Sequence, residues 1–380
     1  MTVRVSESAS QRVGGKSLRV LIAGGGTGGH VIPALAIARE LRDSHRAEVR
    51  FVGTARGLET LLVPEAGFRL DLVRSGQLKN VSLTTRLRTA VDLPLGVVEC
   101  IRLLREFRPQ VVVGVGGYAS GPAMLAALLL RLPTLAFEPN AVPGLANRLV
   151  GRWVSAAAVN FAQTQKYFRN ARVTGIPVRS EFFVIQRKPA NTPLRLLVFG
   201  GSQGARVLNQ AMPKIAHRLL DRFAGLQIVH QAGARHCETT DEAYAHAGLS
   251  EQQTTQNIRV QPYLDQMPSE FAAADLILCR SGASTMAELG AAGRASLLVP
   301  FALAADDHQR RNAEVFLNAG AARMLSEAEL SDPDRLLREL AALLADPAEL
   351  RAMGERARTL ARPDAARKIA IMIADLAAKA

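Results

Sequence analysis

A histidine closes a strongly glycine-rich stretch of the chain, residues 24–30, in which five of the seven residues are glycine. An apolar run at 18–23 precedes this stretch, and a helical pattern from Val31 to Arg42 follows it, with Pro33 early in the pattern. His30 is therefore predicted at the start of a helix, where an imidazole can act as general base on a hydroxyl group. A capping or hydrogen-bonded structural histidine fits the same spacing, so both interpretations stay open.

The glycines of this stretch suit an anion or sugar site, because they expose backbone N–H groups ahead of a helix N-terminus. Gly24, Gly26 and Gly29 also match the G-x-G-x-x-G pattern of dinucleotide-binding proteins. That pattern needs an acidic residue at the end of the next strand, but the apolar run at 49–52 is followed by Gly53 and Thr54. We predict phosphate or sugar binding rather than NAD binding, with a plain tight turn as the alternative.

Two loops later in the chain have a similar character. Residues 200–205 join an apolar run at 194–199 to a helical pattern, and Ser202 can donate to a phosphate oxygen or cap the helix. In the stretch 279–288, backbone donors at a helix start come one turn before Glu288, whose carboxylate can accept both hydroxyls of a ribose. Thr285 and Glu288 also have the spacing of a capping box, so this alternative stays open.

Two polar segments have weaker signals. Gln309 comes before a helix predicted from about Arg311 and can bind sugar hydroxyls, while the acids at 306 and 307 can equally cap that helix. A metal site there is disfavoured because His308 is the only local histidine. Asp332 and Asp334 have the D-x-D spacing of metal-dependent transferases, but the pattern after them predicts a helix N-terminus.

The fold class follows from a repeated unit of short apolar run, glycine-containing turn and helical pattern, which is typical of α/β proteins. Further runs at 111–115 and 275–279 are continuously apolar, as in parallel strands covered by helices on both faces. We predict two doubly wound, Rossmann-like parallel sheets that face a cleft. Ligands are then expected at the carboxyl ends of the strands.

Domain boundaries are predicted from composition. Residues 1–17 are polar and form a predicted disordered extension, 18–179 form a first domain, and 180–364 form a second. A proline-containing linker is placed at 179–193, before a new strand and glycine loop. The amphipathic segment 365–380 is predicted to be a helix that packs back on the first domain.

Composition limits the function classes. The chain has 380 residues, a net charge of +13 and three scattered cysteines, Cys100, Cys237 and Cys279, so neither a disulfide framework nor a cysteine zinc site is expected. No secretory signal is recognised, because residues 1–17 contain no apolar region. No transmembrane segment is recognised either, because the apolar stretch at 123–130 is too short. The charge predicts anionic partners, but the chain has no nucleic-acid-binding motif, so we expect no nucleic acid.

Taken together, the motifs resemble those of the UDP-N-acetylglucosamine:undecaprenyl-pyrophosphoryl-muramoyl-pentapeptide N-acetylglucosaminyltransferases, a family of the GT-B fold class. The resemblance runs from about Leu18 to the C-terminus. It rests on GGTGGH (24–29 and His30), GGY (116–118), SGP (120–122), EPN (138–140), residues 175–179, GGSQGA (200–205), CRSGASTMAE (279–288), and DHQ (307–309) with Asn312 and Ala313.

The resemblance implies substrate-binding residues, position by position. They are Thr27, Gly28, Gly29, Asn140, Arg179, Ser202, Leu264, Ala283, Ser284, Thr285, Met286, Ala287, Glu288 and Gln309. Glu288 would bind the ribose, Ser202 and the backbone of 283–285 the phosphates, Leu264 the uracil, and Asn140 with Gln309 the N-acetylglucosamine.

The resemblance also implies an inverting displacement without metal or other cofactor, in which the muramoyl C4 hydroxyl attacks the anomeric carbon and UDP leaves. His30 is our first choice of base and Glu138 the second. The chain departs from the family at Phe137, where relatives often have histidine, which weakens any mechanism that needs an imidazole there.

A polyprenyl-linked acceptor (lipid I) implies a peripheral enzyme on the cytoplasmic face of the bacterial inner membrane, with cell-wall synthesis proteins as further partners. The segment 72–108 alternates apolar and basic residues and is predicted to dock on anionic lipid headgroups; an ordinary amphipathic helix is the alternative. The residues used for this prediction are Leu78, Val81, Leu83, Leu87, Arg74, Lys79, Arg86, Arg88, Arg102, Arg105 and Arg108.

Three rival functions share the fold. A UDP-GlcNAc 2-epimerase would use the same donor without a lipid acceptor, and a related transferase would use another lipid such as diacylglycerol. A non-catalytic nucleotide-sugar-binding protein is the third. Activity with and without acceptor separates them.

Overall fold

The computed structural model describes residues 17–55, 57–75, 83–186, 188–189 and 192–379, without the side chains of 83–91 and 305. Residues 1–16 of the predicted extension, and Leu78, Lys79 and Val81 of the predicted membrane segment, lie outside the described residues. The chain divides into two compact units. The first contains the described residues up to Pro139, then Pro143–Pro177 and Asp364 onward, and the second contains Asn140–Val142 and Val178–Pro363.

Both units are built on parallel sheets, which confirms the predicted α/β class. The strands of the first are β1 Arg19–Gly24, β2 Glu48–Gly53, β3 Arg69–Leu72, β4 Val111–Gly116, β5 Thr134–Glu138, β6 Ala156–Val159 and β7 Ala171–Val173. Those of the second are β8 Arg195–Phe199, β9 Gln227–Gln231, β10 Ile258–Gln261, β11 Leu276–Cys279, β12 Ala295–Leu298 and β13 Ala322–Met324. The five strands predicted from apolar runs, β1, β2, β4, β8 and β11, lie within one residue of their predicted ends.

Helices follow most strands. They are α1 Gly28–His45, α2 Glu59–Glu65, α3 Leu83–Phe107, α4 Ser120–Leu129, α5 Leu145–Val150, α6 Ser180–Phe183, α7 Arg206–Arg222, α8 Cys237–Ala245, α9 Glu251–Asn257, α10 Met267–Ala273, α11 Ala283–Ala292, α12 His308–Asn318, α13 Pro333–Leu344, α14 Pro347–Thr359 and α15 Ala365–Ala378. Among the described residues, no helix is both long and apolar enough to cross a bilayer.

The strand order shows where each sheet binds ligands. The first sheet has the order β3-β2-β1-β4-β5-β6-β7, and the second has the order β10-β9-β8-β11-β12-β13. In each sheet the direction of chain progression reverses once, between β1 and β4 and between β8 and β11. Ligands of open parallel sheets bind in the crevice at this reversal, beside the carboxyl ends of the strands. The loops that follow these four strands are the glycine-rich motifs of the sequence.

Burial of both faces of a sheet explains why the sequences of its strands are continuously apolar. In the second unit, Leu196 and Val198 of β8 face one apolar cluster, whereas Leu197 and Phe199 face the other, so both faces of the strand are buried. Alternate residues of a strand point to opposite faces, so burial of both faces requires an unbroken apolar sequence.

The predicted linker is largely part of the second unit. It contains α6, and its Lys188 donates to the Asp275 carboxylate and to the Pro193 carbonyl. Arg294 donates to the carbonyl of Gln186. The unit boundary lies between Pro177 and Val178, two residues before the predicted one. At the other end, α15 belongs to the first unit and packs against α1.

Candidate functional site

His30 is the third residue of α1, because the helix begins at Gly28, three residues before the predicted start at Val31. Thr27 is the N-cap residue in an extended conformation, and its carbonyl accepts from the His30 N–H at 3.1 Å. Pro33 consequently falls in the second turn, not the first. Thr27, Gly28 and Gly29 present a helix N-terminus at the carboxyl end of β1.

The His30 imidazole packs against the backbone at the end of β4. A Cβ atom placed on Gly116 would lie 2.8 Å from Cε1 and 3.0 Å from Nδ1 of His30, and Gly116 has a φ of +90°. Only glycine satisfies both conditions. The loops after β1 and β4 therefore meet at the His30 imidazole. This contact fixes the position of the imidazole at the strand reversal of the first sheet.

Glu59 is a site residue that the sequence analysis missed. Its side chain is 1% exposed, and its carboxylate accepts from the N–H of Gly26 at 2.6 Å and from the N–H and hydroxyl of Thr54 at 3.0 and 3.1 Å. A Cβ on Gly25 would lie 2.3 Å from the carboxyl carbon. Glu59 thus holds the first glycine-rich loop in position from the N-terminus of α2.

Glu138, the second choice of base, is 2% exposed. Its Oε2 atom accepts from the N–H of Gly144 and from the Asn147 side-chain amide, both at 3.0 Å. The carboxylate therefore organises the loop after β5. The neighbouring Phe137 side chain is fully buried in the core.

In the second unit, α11 begins where the sequence places the phosphate-binding backbone. Its N-cap is Gly282, so Ala283, Ser284 and Thr285 form the first turn and their N–H groups point out of the helix end. Thr285 is the third helical residue and not an N-cap, so the capping-box interpretation of Thr285 and Glu288 is wrong. Met286 and Ala287 continue the helix toward Glu288.

Gln309 lies beside this helix end. The Ser281 hydroxyl donates to the Gln309 carbonyl at 2.8 Å, and the Gln309 Oε1 atom accepts from the Phe301 N–H at 3.0 Å. Helix α12 begins at His308, so Gln309 is in its first turn and the predicted start near Arg311 is wrong. Asp307 is the N-cap residue, but its side chain makes no capping hydrogen bond.

Asn312 connects the residues expected around the sugar. It is fully buried, and its Oδ1 accepts from the Ala141 N–H at 2.9 Å. Its Nδ2 donates to the Ser281 carbonyl at 3.2 Å and to Asn140 Oδ1 at 3.3 Å. Asn140 and Ser281 therefore meet at one buried amide, and Gln309 is joined to Ser281 through its backbone carbonyl. Asn312 belongs to one of the sequence motifs, but its place in the site is visible only in the fold.

Glu288 and Arg179 are electrostatically coupled within this unit. Burial raises the pKa of the half-buried Glu288 carboxyl to about 7, and the nearby Arg179 guanidinium partly opposes the shift. Arg179 is the N-cap residue of α6, and its guanidinium lies over the Phe182 ring at 5.1 Å.

The raised pKa of Glu288 predicts a pH-dependent effect on stability. Because the folded pKa of about 7 exceeds the unfolded value of 4.5, the contribution to stability is present below about pH 4.5 and lost as pH rises to about 7. Glu288→Gln should therefore stabilise the fold relative to the native chain by about 3 kcal/mol above pH 7 and by little near pH 4.5. Urea unfolding at several pH values measures this difference.

Glu355→Gln serves as the control, because Glu355 is exposed on α14. It should leave the stability difference independent of pH. A Glu288→Gln effect of equal size at pH 5 and pH 8 would contradict the assignment.

Ser202 and Leu264 lie in loops on the other side of the strand reversal. Ser202 is exposed in a turn closed by a hydrogen bond from the Gly204 N–H to the Gly201 carbonyl at 2.9 Å. The N-cap of α7 is Ala205, so the interpretation of Ser202 as a helix cap is wrong. Leu264 is buried, and its N–H donates to the Gln231 side chain.

The segment from Asp332 to Asp334 begins a helix. Asp332 caps α13 by accepting from the Asp334 N–H at 2.9 Å, which confirms the predicted helix N-terminus. Within the described residues no cluster of potential ligands is able to hold a metal ion. A cavity of about 610 Å³ between α7 and α8 is lined by Arg206, Lys214 and His236 among others, and by none of the predicted donor-binding residues.

The two parallel-sheet units of the chain each match a domain of a known protein family. The N-terminal domain of glycosyltransferase family 28 matches residues 20–159, and the C-terminal domain of the same family matches residues 195–369. A protein of Solibacter usitatus is 44% identical over 359 residues, which are 94% of this chain and 96% of that protein. It is named UDP-N-acetylglucosamine--N-acetylmuramyl-(pentapeptide) pyrophosphoryl-undecaprenol N-acetylglucosamine transferase.

Solved structures agree. The crystal structure of MurG from Acinetobacter baumannii is 30% identical, covers 94% of this chain and 99% of its own, and has a TM-score of 0.78. A UDP-GlcNAc 2-epimerase from Neisseria meningitidis, bound to UDP-GlcNAc, covers 94% of this chain and 100% of its own at 13% identity and a TM-score of 0.65, which shows a shared fold alone. The chain therefore belongs to glycosyltransferase family 28, and within it to the N-acetylglucosamine transferases that these relatives represent.

Proposed function

We propose that this chain transfers N-acetylglucosamine from UDP-GlcNAc to the C4 hydroxyl of the muramoyl sugar of undecaprenyl-diphosphate-linked muramoyl-pentapeptide, with inversion and without a metal ion. Membership of the family supports the donor and the acceptor. The observation that carries the site is the buried Asn312 amide, which donates to Asn140 and Ser281 beside the N-terminus of α11. Ser281 in turn donates to the Gln309 carbonyl.

The donor is recognised by the second unit. Glu288 binds the ribose hydroxyls, Leu264 lies at the uracil, and Asn140 and Gln309 bind the sugar. Ser202 and the first-turn N–H groups of α11 hold the diphosphate, because a helix N-terminus carries partial positive charge and unpaired donors. Arg179 adds a guanidinium near Glu288. These groups stabilise the negative charge that grows on UDP as it leaves, which is the task that a metal performs in other transferases.

The reaction is a single displacement. His30 takes the proton of the C4 hydroxyl, the oxygen bonds to the anomeric carbon from the side opposite UDP, and the bond to the diphosphate oxygen breaks. One displacement inverts the anomeric configuration. His30 is favoured over Glu138 because the Glu138 carboxylate already accepts two hydrogen bonds that hold its own loop. Thr27, Gly28 and Gly29 complete this part of the site.

The acceptor lipid requires peripheral binding to the cytoplasmic face of the bacterial inner membrane. Support comes from α3, where Leu95 and Val98 are 40% and 46% exposed and precede the exposed Arg102 and Arg105 at helical spacing. A face that combines exposed apolar groups with arginines can insert shallowly among anionic headgroups. Leu129, on the adjacent α4, is a further exposed apolar side chain.

Release of UDP from UDP-GlcNAc, with and without a short-chain analogue of the acceptor lipid and in the presence of EDTA, tests the proposal. Acceptor-dependent UDP release with a β-1,4-linked disaccharide product is expected. UDP released equally without acceptor, together with N-acetylmannosamine, would instead identify an epimerase. Loss of activity in EDTA that a divalent cation restores would refute metal independence.

A further inference from the structure

Gln231 connects two loops of the second unit. It is the last residue of β9, is 1% exposed, and lies in register with Phe199 at the end of β8 and Gln261 at the end of β10. Its Nε2 donates to the Gly201 carbonyl at 2.8 Å, and its Oε1 accepts from the Leu264 N–H at 3.0 Å. One side-chain amide thus spans the loop that contains Ser202 and the loop that contains Leu264.

The backbone around Gln231 is packed too closely for side chains. A Cβ on Gly204 would lie 1.8 Å from the Ala232 carbonyl oxygen, and a Cβ on Gly233 would lie 2.2 Å from the Gln203 carbonyl oxygen. The loop after β8 therefore rests directly on the segment after β9. Any shift of one is transmitted to the other, because close-packed backbone has no room to absorb it.

A network of buried polar side chains supports the segment after β9. Asn209 of α7 donates to the Ala232 carbonyl at 2.9 Å, and its Oδ1 lies 3.1 Å from Nε2 of His230. Burial lowers the pKa of His230 to about 3, so the imidazole is neutral. Since Asn209 Oδ1 only accepts, Nε2 has the proton and Nδ1 accepts from the Tyr244 hydroxyl, 2.9 Å away. Each of these three side chains has a hydrogen-bond partner within the network, so the network holds the segment after β9 rigidly.

We propose that Gln231 is a positioning residue that couples the diphosphate-binding loop to the uracil-binding loop, so that the two ends of UDP are recognised as a unit. The proposal rests on the proposed function, which puts the diphosphate at Ser202 and the uracil at Leu264. Gln231 itself does not touch the donor. It holds the two loops at the spacing that one UDP molecule spans, and removing its amide releases both loops together.

The test compares the affinities of uridine, UMP and UDP in Gln231→Met, measured by titration calorimetry on the full chain. Methionine has nearly the same volume as glutamine but neither hydrogen-bonding group. We expect the Kd for UDP to rise about tenfold or more, as for the loss of about 1.4 kcal/mol, and the Kd for uridine to rise less. If Gln231 had only a structural role, the substitution would lower the unfolding midpoint but leave the ratio of the UDP and uridine affinities unchanged.

Gln227→Met is the matched control. Gln227 is on the same strand and the same face, four residues earlier, and its side chain accepts from Arg195 at the opposite end of the strand. It should leave all three affinities at the native values. If Gln231→Met fails to fold, Gln231→Asn replaces it under the same criteria, because a shorter amide cannot reach both loops.

The outcomes separate the two proposals. Nucleotide affinities within twofold of native in Gln231→Met, or equal losses for uridine and UDP, would overturn the coupling role. If the native chain itself does not bind UDP, the proposed function fails, whatever the variants do.

Discussion

His30→Gln is expected to lower kcat for transfer by about 10²–10⁴-fold, the usual contribution of a positioned general base. Glutamine fills similar space and keeps a polar group, so the first turn of α1 should stay intact and the Kd for UDP-GlcNAc should stay near native. A fall in kcat without loss of ground-state binding marks an interaction made in the transition state. Steady-state kinetics with a saturating acceptor analogue, together with donor titration, give both quantities.

His45→Gln, in the last turn of the same helix, is the matched control and should keep native kcat. Gly116→Ala offers a second check, because its Cβ would lie 2.8 Å from Cε1 of His30 and must displace the imidazole. It should lower kcat although His30 is present. Native kcat in His30→Gln would remove His30 as the base and return the role to Glu138.

Gly204→Ala is expected to destabilise the chain by about 3 to 4 kcal/mol and to weaken UDP binding strongly. About 1–2 kcal/mol comes from the left-handed backbone, with a φ of +72°, and the remainder from the clash with the Ala232 carbonyl oxygen at 1.8 Å. Because Ser202 lies in the turn that Gly204 closes, its hydroxyl should move away from the diphosphate. Urea unfolding and UDP titration measure the two effects.

Gly201→Ala isolates the backbone-strain part, so the difference between the two variants gives the steric part. Gly201 lies in the same turn with a φ of +95°, but no atom lies within 4 Å of a Cβ placed there. It should lose only about 1–2 kcal/mol from backbone strain. Equal destabilisation by the two alanines would show that the contact with Ala232 does not hold the loop.

Local sequence predicted the strands and the loops that follow them, for a physical reason. A strand buried on both faces needs an unbroken apolar run, as in Leu196 to Phe199, and the run ends where glycine lets the chain turn. The carboxyl ends of parallel strands share one edge of the sheet. Recognising the runs was therefore enough to place His30 and Ser202 after central strands, although the role of each remains a prediction.

Helix starts were less predictable, because several residues compete for the cap position. Thr285 and Glu288 have capping-box spacing, but Gly282 adopts the extended N-cap conformation three residues earlier and puts Thr285 inside the helix. Likewise α1 starts at Gly28 despite its glycines, since tertiary contacts at the loop outweigh intrinsic propensity. Asp332 was predicted correctly because Pro333 fixes the first helical position.

The residues that support the site were missed because their partners are distant in sequence. Glu59 accepts from Gly26, 33 residues away, Gln231 donates to Gly201, 30 residues away, and Asn312 binds Ala141 across 171 residues. No spacing rule connects such pairs. Each side chain was also unremarkable in its own helix or strand, so only the fold reveals its partners.

The Glu59 carboxylate makes the glycine-rich loop at 24–29 electrostatically different from the loop at 200–205, although the two sequences are similar. In the first loop, the Gly26 N–H already donates to an internal anion at 2.6 Å. A diphosphate approaching that N–H would meet a negative charge in place of an open donor. Under the proposed mechanism, the first loop then orients the His30 imidazole, and binding of the nucleotide's charge falls to the second unit. The proposed difference in role between the two sheets thus depends on one buried acid, Glu59.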